Sequence, residues 1–256
     1  MSILQFGNTM SPQSSSPDQT DAAVFVRRLA MLYPLQAAEI QAAEDLIEDV
    51  HTVAAHQIVL QGDQPSDEAL VLLRGMACHY KTIDNVRRQL TGFVLPGDFC
   101  DYGFLSSSST GQCVATLTRC VLGKINLARL SGVAERHPHI VVAAMRGAAV
   151  DRASARELAV SLGARDALQR LAHLLCEIHY RLRVVGLVSA NGRFEFGVTQ
   201  SEIGEALGLS TVHVNRTIQQ LRRRKLVTMG QGQVTILDAA ALAAVAVFDP
   251  RYLRPN

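Results

Sequence analysis

The sequence predicts an α+β chain in which an antiparallel β-domain, one long helix and a small helical domain with a terminal hairpin follow one another. Three observations carry this. Short apolar runs separated by turn signals recur at roughly ten-residue spacing between Thr52 and Lys124, the pattern of a sandwich or barrel. Between Pro138 and Leu162 the apolar period lengthens to alternating steps of three and four. Thr199–Lys225, TQSEIGEALGLSTVHVNRTIQQLRRRK, reads as two helices joined by a tight turn at Gly208.

Taken in chain order, Met1–Thr20 is rich in Ser, Gln and Pro and is expected to be a flexible tail. Helical spacing follows over Asp21–Tyr33 and Leu35–Val50, broken by Pro34. Strands are expected at Gln57–Leu60, Ala69–Leu73, Ala77–Lys81, Arg88–Leu95, Cys113–Thr118 and Cys120–Lys124. The turns between them are marked by Gly62-Asp63, Arg74-Gly75, Asp84-Asn85, Pro96-Gly97-Asp98 and the Ser106–Gly111 loop. A short helix near Asn126–Glu135 precedes the long one. Along the long helix Val141, Ala144, Ala148, Asp151, Ala155, Leu158 and Leu162 form a heptad seam. That seam either packs on the chain's own β-domain or pairs with a second copy. Its small residues permit close approach of two helices and favour the pair. Ala164–Arg183 is a further amphipathic helix with Leu168, Leu171, Leu174, Leu175, Ile178 and Leu182 inward, and Phe194–Gly197 is a short strand. The expected division is a tail at 1–20, a β-domain with flanking helices at 21–135, a dimerisation helix at 136–162 and a DNA-binding domain at 163–256.

The helix-turn-helix is built on Ile203 and Leu207 in its first helix and Leu209, Val214 and Ile218 beyond the turn. Gly204 lets the second helix cross closely, and Gly208 can take the left-handed conformation that a helix end needs. Ser210 or Thr211 can cap the second helix, leaving His213, Asn215, Arg216 and Gln219 on or near its outward face. Leu226–Leu237 has β-type residues on either side of Gly230–Gln233 and reads as a hairpin, which makes the unit a winged helix. Such a second helix is shaped for a DNA major groove. Ala239–Phe248 closes the domain as a helix and is too short to span a bilayer.

Composition agrees. Residues 163–256 carry 12 Lys/Arg against 7 Asp/Glu, a net +5, whereas the rest carries 13 against 16, a net −3. Only the C-terminal part therefore suits a polyanionic partner. The five cysteines (Cys78, Cys100, Cys113, Cys120, Cys176) are odd in number and lack any Cys-x-x-Cys pair. They favour neither a disulfide framework nor a metal site, and fit reduced thiols in a cytoplasmic protein. No signal peptide, membrane span, catalytic nucleophile–base motif or P-loop is present, so no enzyme activity and no cofactor are expected.

The order of β-domain, long helix and winged helix resembles the Crp/Fnr family of bacterial transcription regulators over nearly the whole chain. The residues that carry the resemblance are Gly62, Gly75 and Gly97 at β-turns, LPGDF at Leu95–Phe99, and SEIGEALGLSTVHVNRTIQQL at Ser201–Leu221. It implies a β-roll (a double-stranded β-helix of the cyclic-nucleotide-binding kind) whose signal repositions the DNA domains of a homodimer joined through residues 138–162. It further implies a two-fold double-stranded DNA operator and RNA polymerase as partners. By position, Thr199 and Ser201 look like phosphate contacts, Ser210 starts the recognition helix, and Thr211, Val212, Asn215 and Arg216 take base-reading places. Arg216 suits guanine, whose O6 and N7 a guanidinium can bridge. Many members carry a base-reading Glu where this chain has Val212. His213 is expected to point sideways, toward the backbone, and Arg222–Lys225 to lie near phosphates while complementing the helix dipole.

The sensor end departs from the family. Where cyclic-nucleotide binders supply Gly-Glu and an Arg, this chain has Asp101-Tyr102 and Gln112-Cys113. Asp101 has the wrong sign for a phosphate and Gln112 has no charge, so cyclic AMP is not expected in the usual mode. Residues 1–77 contain no Cys, which excludes the usual N-terminal iron–sulfur centre. Cys78-His79 lies where haem-binding relatives place an axial ligand, and Cys100 or Cys113 is a candidate thiol switch. A second reading of the chain is a ligand-binding module whose winged helix docks on protein.

Overall fold

The computed structural model describes residues 14–15, 19–61, 66–84, 87–105 and 113–254. Within the expected tail, Ser14–Ser15 form strand β1, paired with His51 and Val50, and Gln19 already begins helix α1 (Gln19–Leu32). The rest of that tail lies outside the described residues, as do Gly62-Asp63, Asn85, the Ser106–Gly111 loop and Gln112. Helix α2 (Ala37–Asp45) starts after Pro34 but stops short of the expected Val50. Leu46 and Ile47 keep the apolar period because they are buried in the connection beyond the helix. The β-branched stretch after them becomes strand β2 (Asp49–Val53) instead.

The remaining strands of this domain follow the apolar runs closely: β3 (Ile58–Leu60), β4 (Glu68–Arg74), β5 (Ala77–Ile83), β6 (Arg87–Val94), β7 (Cys113–Thr116) and β8 (Cys120–Asn126). They build two antiparallel sheets of four strands, ordered β1-β2-β8-β4 and β3-β7-β5-β6. Side-chain alternation divides each strand between two cores. Leu72, Ala77, Val94, Val114 and Leu122 meet between the sheets. On the other face of the first sheet, Val71 and Leu73 pack with Phe25 and Leu29 of α1. The turn at Leu95–Phe99 sits directly on α1. Gly97 has φ +95°, and a Cβ there would stand 2.7 Å from Arg28 Cβ and 2.9 Å from the Val24 carbonyl oxygen, so only glycine fits.

Helix α3 (Leu127–Arg136) is capped by Asn126, whose side chain accepts the Arg129 N–H. Helix α4 (Pro138–Ala164) carries the expected seam, but much of that seam is occupied by this chain itself. Ala144 and Ala148 are buried, Leu158 packs against the core below the second sheet, and Asp151 Oδ1 lies 3.7 Å from His79 Nδ1. The exposed residues of α4 include Met145, Ala149, Arg152, Arg156 and Val160, together with Ala155 of the seam. Small residues let a helix lie close to a sheet as readily as to a second helix.

Helix α5 (Ala167–Val184) opens with a capping box between Asp166 and Gln169. Strand β9 (Arg193–Glu195), helix α6 (Gln200–Leu207), helix α7 (Thr211–Arg223), strands β10 (Val227–Gly230) and β11 (Gln233–Ile236) and helix α8 (Ala239–Ala246) complete the chain. The three strands form a sheet ordered β10-β11-β9. Gln231 and Gly232 both have positive φ, the two-residue turn that matches the twist of a hairpin. The core of this domain (Leu171, Leu175, Phe196, Ile203, Val214, Leu221) is continuous with Cys78, Tyr80, Leu90 and Phe93 of the second roll sheet. The winged helix is therefore seated on the roll.

Candidate nucleic-acid interface

Local chemistry fixes both helices of the motif. Thr199 caps α6 in a capping box: its hydroxyl accepts the Glu202 N–H at 3.2 Å and donates to Glu202 Oε2 at 2.8 Å, and its own N–H donates to the same oxygen at 2.7 Å. Its hydroxyl is thus held at the helix start, beside the exposed Ser201. Gly208 closes α6 with φ 64° and ψ 38°. A Cβ on Gly204 would stand 2.4 Å from the Leu209 carbonyl oxygen, so the absence of a side chain lets the turn fold back on α6. Ser210 caps α7 by accepting the His213 N–H, and its Oγ lies 3.2 Å from His213 Nδ1. The His213 ring is thereby drawn back to the cap.

Val214, Thr217, Ile218 and Leu221 bury one face of α7. The opposite face exposes Thr211, Val212, Asn215 and Arg216, with Gln219 half-buried at its edge. Asn215 makes one long hydrogen bond, Nδ2 to Gln200 Oε1 at 3.4 Å. Among the described residues Arg216 has no side-chain hydrogen bond or ion pair. The base-reading positions expected from the sequence therefore share one solvent face. At the basic helix end, Arg222 Nη2 donates to the Met229 carbonyl oxygen and ties α7 to the wing, while Arg223 and Arg224 remain exposed.

The motif is positioned by charged contacts that the sequence reading missed. Arg88 Nε donates to Glu205 Oε2 at 2.8 Å, and Gln89 Nε2 donates to the Glu205 carbonyl oxygen at 2.7 Å, which joins β6 to α6. His56 Nδ1 lies 3.3 Å from Glu202 Oε1. Arg170 Nη1 donates to the Leu207 carbonyl oxygen and Nη2 to that of Leu162, bracing α6 on α4. Deepest is Asp98 of the Leu95–Phe99 turn, which accepts Arg28 Nε at 2.8 Å and Arg181 Nη2 at 2.6 Å. Burial alone would raise the Asp98 carboxyl, but Arg181 and Arg28 outweigh it and hold it below the usual carboxylate range. Arg181 also reaches Glu177, which accepts the Tyr252 hydroxyl at 2.6 Å. The one available signal was an arginine on the inward stripe of α5, one residue from Leu182.

Of Asp101, Tyr102, Gln112 and Cys113, which stand where the family's cyclic-nucleotide binders hold their ligand, the described residues place only Tyr102 at the cavity around Asp98. Tyr102 lines a cavity with Arg28, His79, Asp98, Asp151 and Arg181, and its hydroxyl is pressed against Gly147 of α4. Burial raises its phenol above the usual range. Asp101 is spent locally, accepting the Gly103 N–H at 2.9 Å, and Cys113 is half-buried beside Tyr80, opposite it in the β5–β7 ladder. Neither lines the cavity, and Gln112 lies outside the described residues. The cavity measures about 10 Å³, space for a single water and not for a nucleotide. His79 does not offer a free haem ligand: Nε2 lies 2.8 Å from the Cys100 carbonyl oxygen and Nδ1 faces Asp151. Burial pushes the Cys78 thiol to about 12 and the Cys100 thiol higher still, which makes Cys100 a poor redox switch.

A roll of two antiparallel sheets bearing a winged helix with an open recognition face is the architecture of a DNA-binding regulator. Comparison with known proteins agrees. The Crp-like helix-turn-helix domain matches residues 169–245, and the cyclic nucleotide-binding domain matches residues 50–137. The nitrogen fixation regulation protein FixK of Bradyrhizobium diazoefficiens is 27% identical over 222 residues, covering 86% of this chain and 91% of that protein. The transcriptional activatory protein AadR of Rhodopseudomonas palustris is 27% identical over 227 residues, covering 86% and 90%. The solved structure of FixK2 from Bradyrhizobium japonicum superposes with a TM-score of 0.67 at 20% identity, covering 78% of this chain and 98% of that one, and so shares the fold. The chain belongs to the Crp/Fnr family of DNA-binding transcription regulators. Its relatives are regulators rather than enzymes, and among the described residues no helix is long and apolar enough to cross a membrane.

Proposed function

We propose that this chain works in the cytoplasm as a homodimer that reads a two-fold DNA operator and controls promoters through RNA polymerase. The observation that carries the proposal is the recognition face of α7, where Val212, Asn215 and Arg216 are exposed and the Arg216 guanidinium has no partner among the described residues. Ser201 at the start of α6 and Arg223 and Arg224 at the end of α7 are suited to flanking phosphates, whereas the Thr199 hydroxyl and N–H are both given to Glu202 and shape the helix start. Thr211 and Gln219 border the base-reading positions, with Ser210 and His213 shaping the helix start. The dimer is assigned to α4 within 138–162, on the stripe of Met145, Ala149, Arg152, Arg156 and Val160 beside the exposed seam residue Ala155, because Ala144 and Ala148 of the seam are buried within the chain. Paired recognition helices would then reach half-sites about one helical turn apart. Control is assigned to the roll of 21–135 acting on the domain of 163–256, by a signal other than a cyclic nucleotide bound in the usual mode, because Asp101 has the wrong sign for a phosphate and Gln112 has no charge.

Selection of bound DNA from a random pool tests this. A two-fold sequence should be enriched, and Arg216→Ala should lose discrimination of one guanine per half-site while keeping weak non-specific binding. No enrichment of any sequence would favour a winged helix that docks on protein, and unchanged selectivity in Arg216→Ala would remove Arg216 from the readout.

A further inference from the structure

Val212 is 69% exposed, the most exposed large hydrophobic residue among the described ones. It occupies the second position of α7, flanked by the polar side chains of Thr211, His213, Asn215 and Arg216. Nothing inside the chain accounts for valine there. Its side chain gains no burial, a β-branched residue is a mediocre helix former, and the positive end of the helix dipole would reward an acidic residue. Isolated exposed apolar residues are common on protein surfaces. This one, however, lies one turn before Arg216 on the face assigned to bases.

We infer that Val212 is a specificity-determining residue that packs against the 5-methyl group of a thymine. The inference rests on the DNA reading given above and names what that reading leaves open. A valine can neither donate nor accept a hydrogen bond, so the donor–acceptor pattern of the major groove is invisible to it. The one apolar feature that differs among the base edges is the thymine methyl. Val212 and Arg216 are four residues apart, a rise of about 6 Å along the helix. With base pairs stacked about 3.4 Å apart, the methyl-bearing thymine lies one or two base pairs from the guanine taken by Arg216.

Deoxyuridine provides the test, since it differs from thymidine only by that methyl. With the operator selected by the full-length protein, each thymine is replaced in turn by deoxyuridine and binding is measured at fixed salt. At one position per half-site the replacement should weaken wild-type binding about fourfold, the worth of one buried methyl group. Val212→Ala should bind the thymine and uracil operators with nearly equal affinity, and Val212→Thr, which keeps a methyl group, should retain most of the difference. Val212→Glu should shift the preference at that position toward cytosine, whose amino group a carboxylate can accept. Because Val212 is exposed, none of these variants threatens folding. The inference is overturned if no uracil replacement matters, or if Val212→Ala keeps the wild-type sensitivity. If no DNA sequence is selected at all, the DNA reading itself fails and the inference falls with it. If a sequence is selected but shows no methyl effect, only the role of Val212 is lost.

Discussion

The centre of the roll and the face of α7 treat charge in opposite ways. Around Asp98 the buried carboxylate is paired inside the chain with the guanidiniums of Arg28 and Arg181, and the space left over is about 10 Å³. On α7, Arg216 has no partner among the described residues and its neighbours face solvent. A polar group satisfied within the chain stabilises a fold, and one left open is available to a partner. The Leu95–Phe99 turn is tied into an internal brace, while the helix α7 keeps an open surface.

The brace should show the largest effect. Asp98 and Arg181 are each 7% exposed at the side chain, so removing one partner strands a buried charge. Asp98→Ala and Arg181→Met should each lose roughly 3–5 kcal/mol in urea unfolding, with little change in DNA discrimination among the molecules that remain folded. A loss below about 1 kcal/mol would make the cluster an incidental contact. The pH dependence has a definite sign. Asp98 is held below the usual carboxylate range in the folded protein, so its ionised form stabilises the fold above the unfolded value of about 3.9. That contribution disappears as pH falls through the lower folded value. The stability gap between wild type and Asp98→Asn should therefore narrow as the pH is lowered below about 4.

The two regions also differed in how much could be read from sequence. The recognition unit is local. A cap, a glycine turn, an apolar stripe and a hairpin all lie within Thr199–Leu237, and Ser210, Gly208 and the Gln231-Gly232 turn fall where short-range rules put them. The brace is not local: 70 residues separate Arg28 from Asp98, and 83 separate Asp98 from Arg181. No periodicity links such positions. The same limit explains α4, whose small residues marked a close approach without naming the surface approached. It also explains β2, where buried Leu46 and Ile47 prolonged a helical period beyond the helix. Position alone also did not show that Asp101 accepts a hydrogen bond from its own loop or that the Tyr102 hydroxyl lies against Gly147.

Between brace and recognition face lies the joint formed by Arg88 and Glu205, at 15% and 30% side-chain exposure. If this pair helps to seat α6 on the roll, Arg88→Gln and Glu205→Gln should each lower stability. The double variant should lose less than their sum, with a coupling energy of about 1 kcal/mol. Coupling indistinguishable from zero would leave the seat to the shared apolar core and to Gln89, whose bonds go to backbone carbonyls.

The smallest effects separate three consecutive arginines of apparently equal character. Arg222 donates to the Met229 carbonyl oxygen, so its guanidinium belongs in part to the wing. Arg223 and Arg224 are exposed, and at the end of a DNA-facing helix their charge is available to phosphate. Arg223→Gln and Arg224→Gln should leave thermal stability nearly unchanged and weaken binding by a similar factor for operator and random DNA. Each should lower the slope of log affinity against log salt by about one per protomer that makes the contact. Arg222→Gln should behave differently, lowering stability by about 1 kcal/mol through the lost wing bond with a smaller change in slope. Equal salt slopes for all three variants would mean that the bond to Met229 does not hold Arg222 away from DNA. The division between satisfied and open charge would then fail within α7 itself.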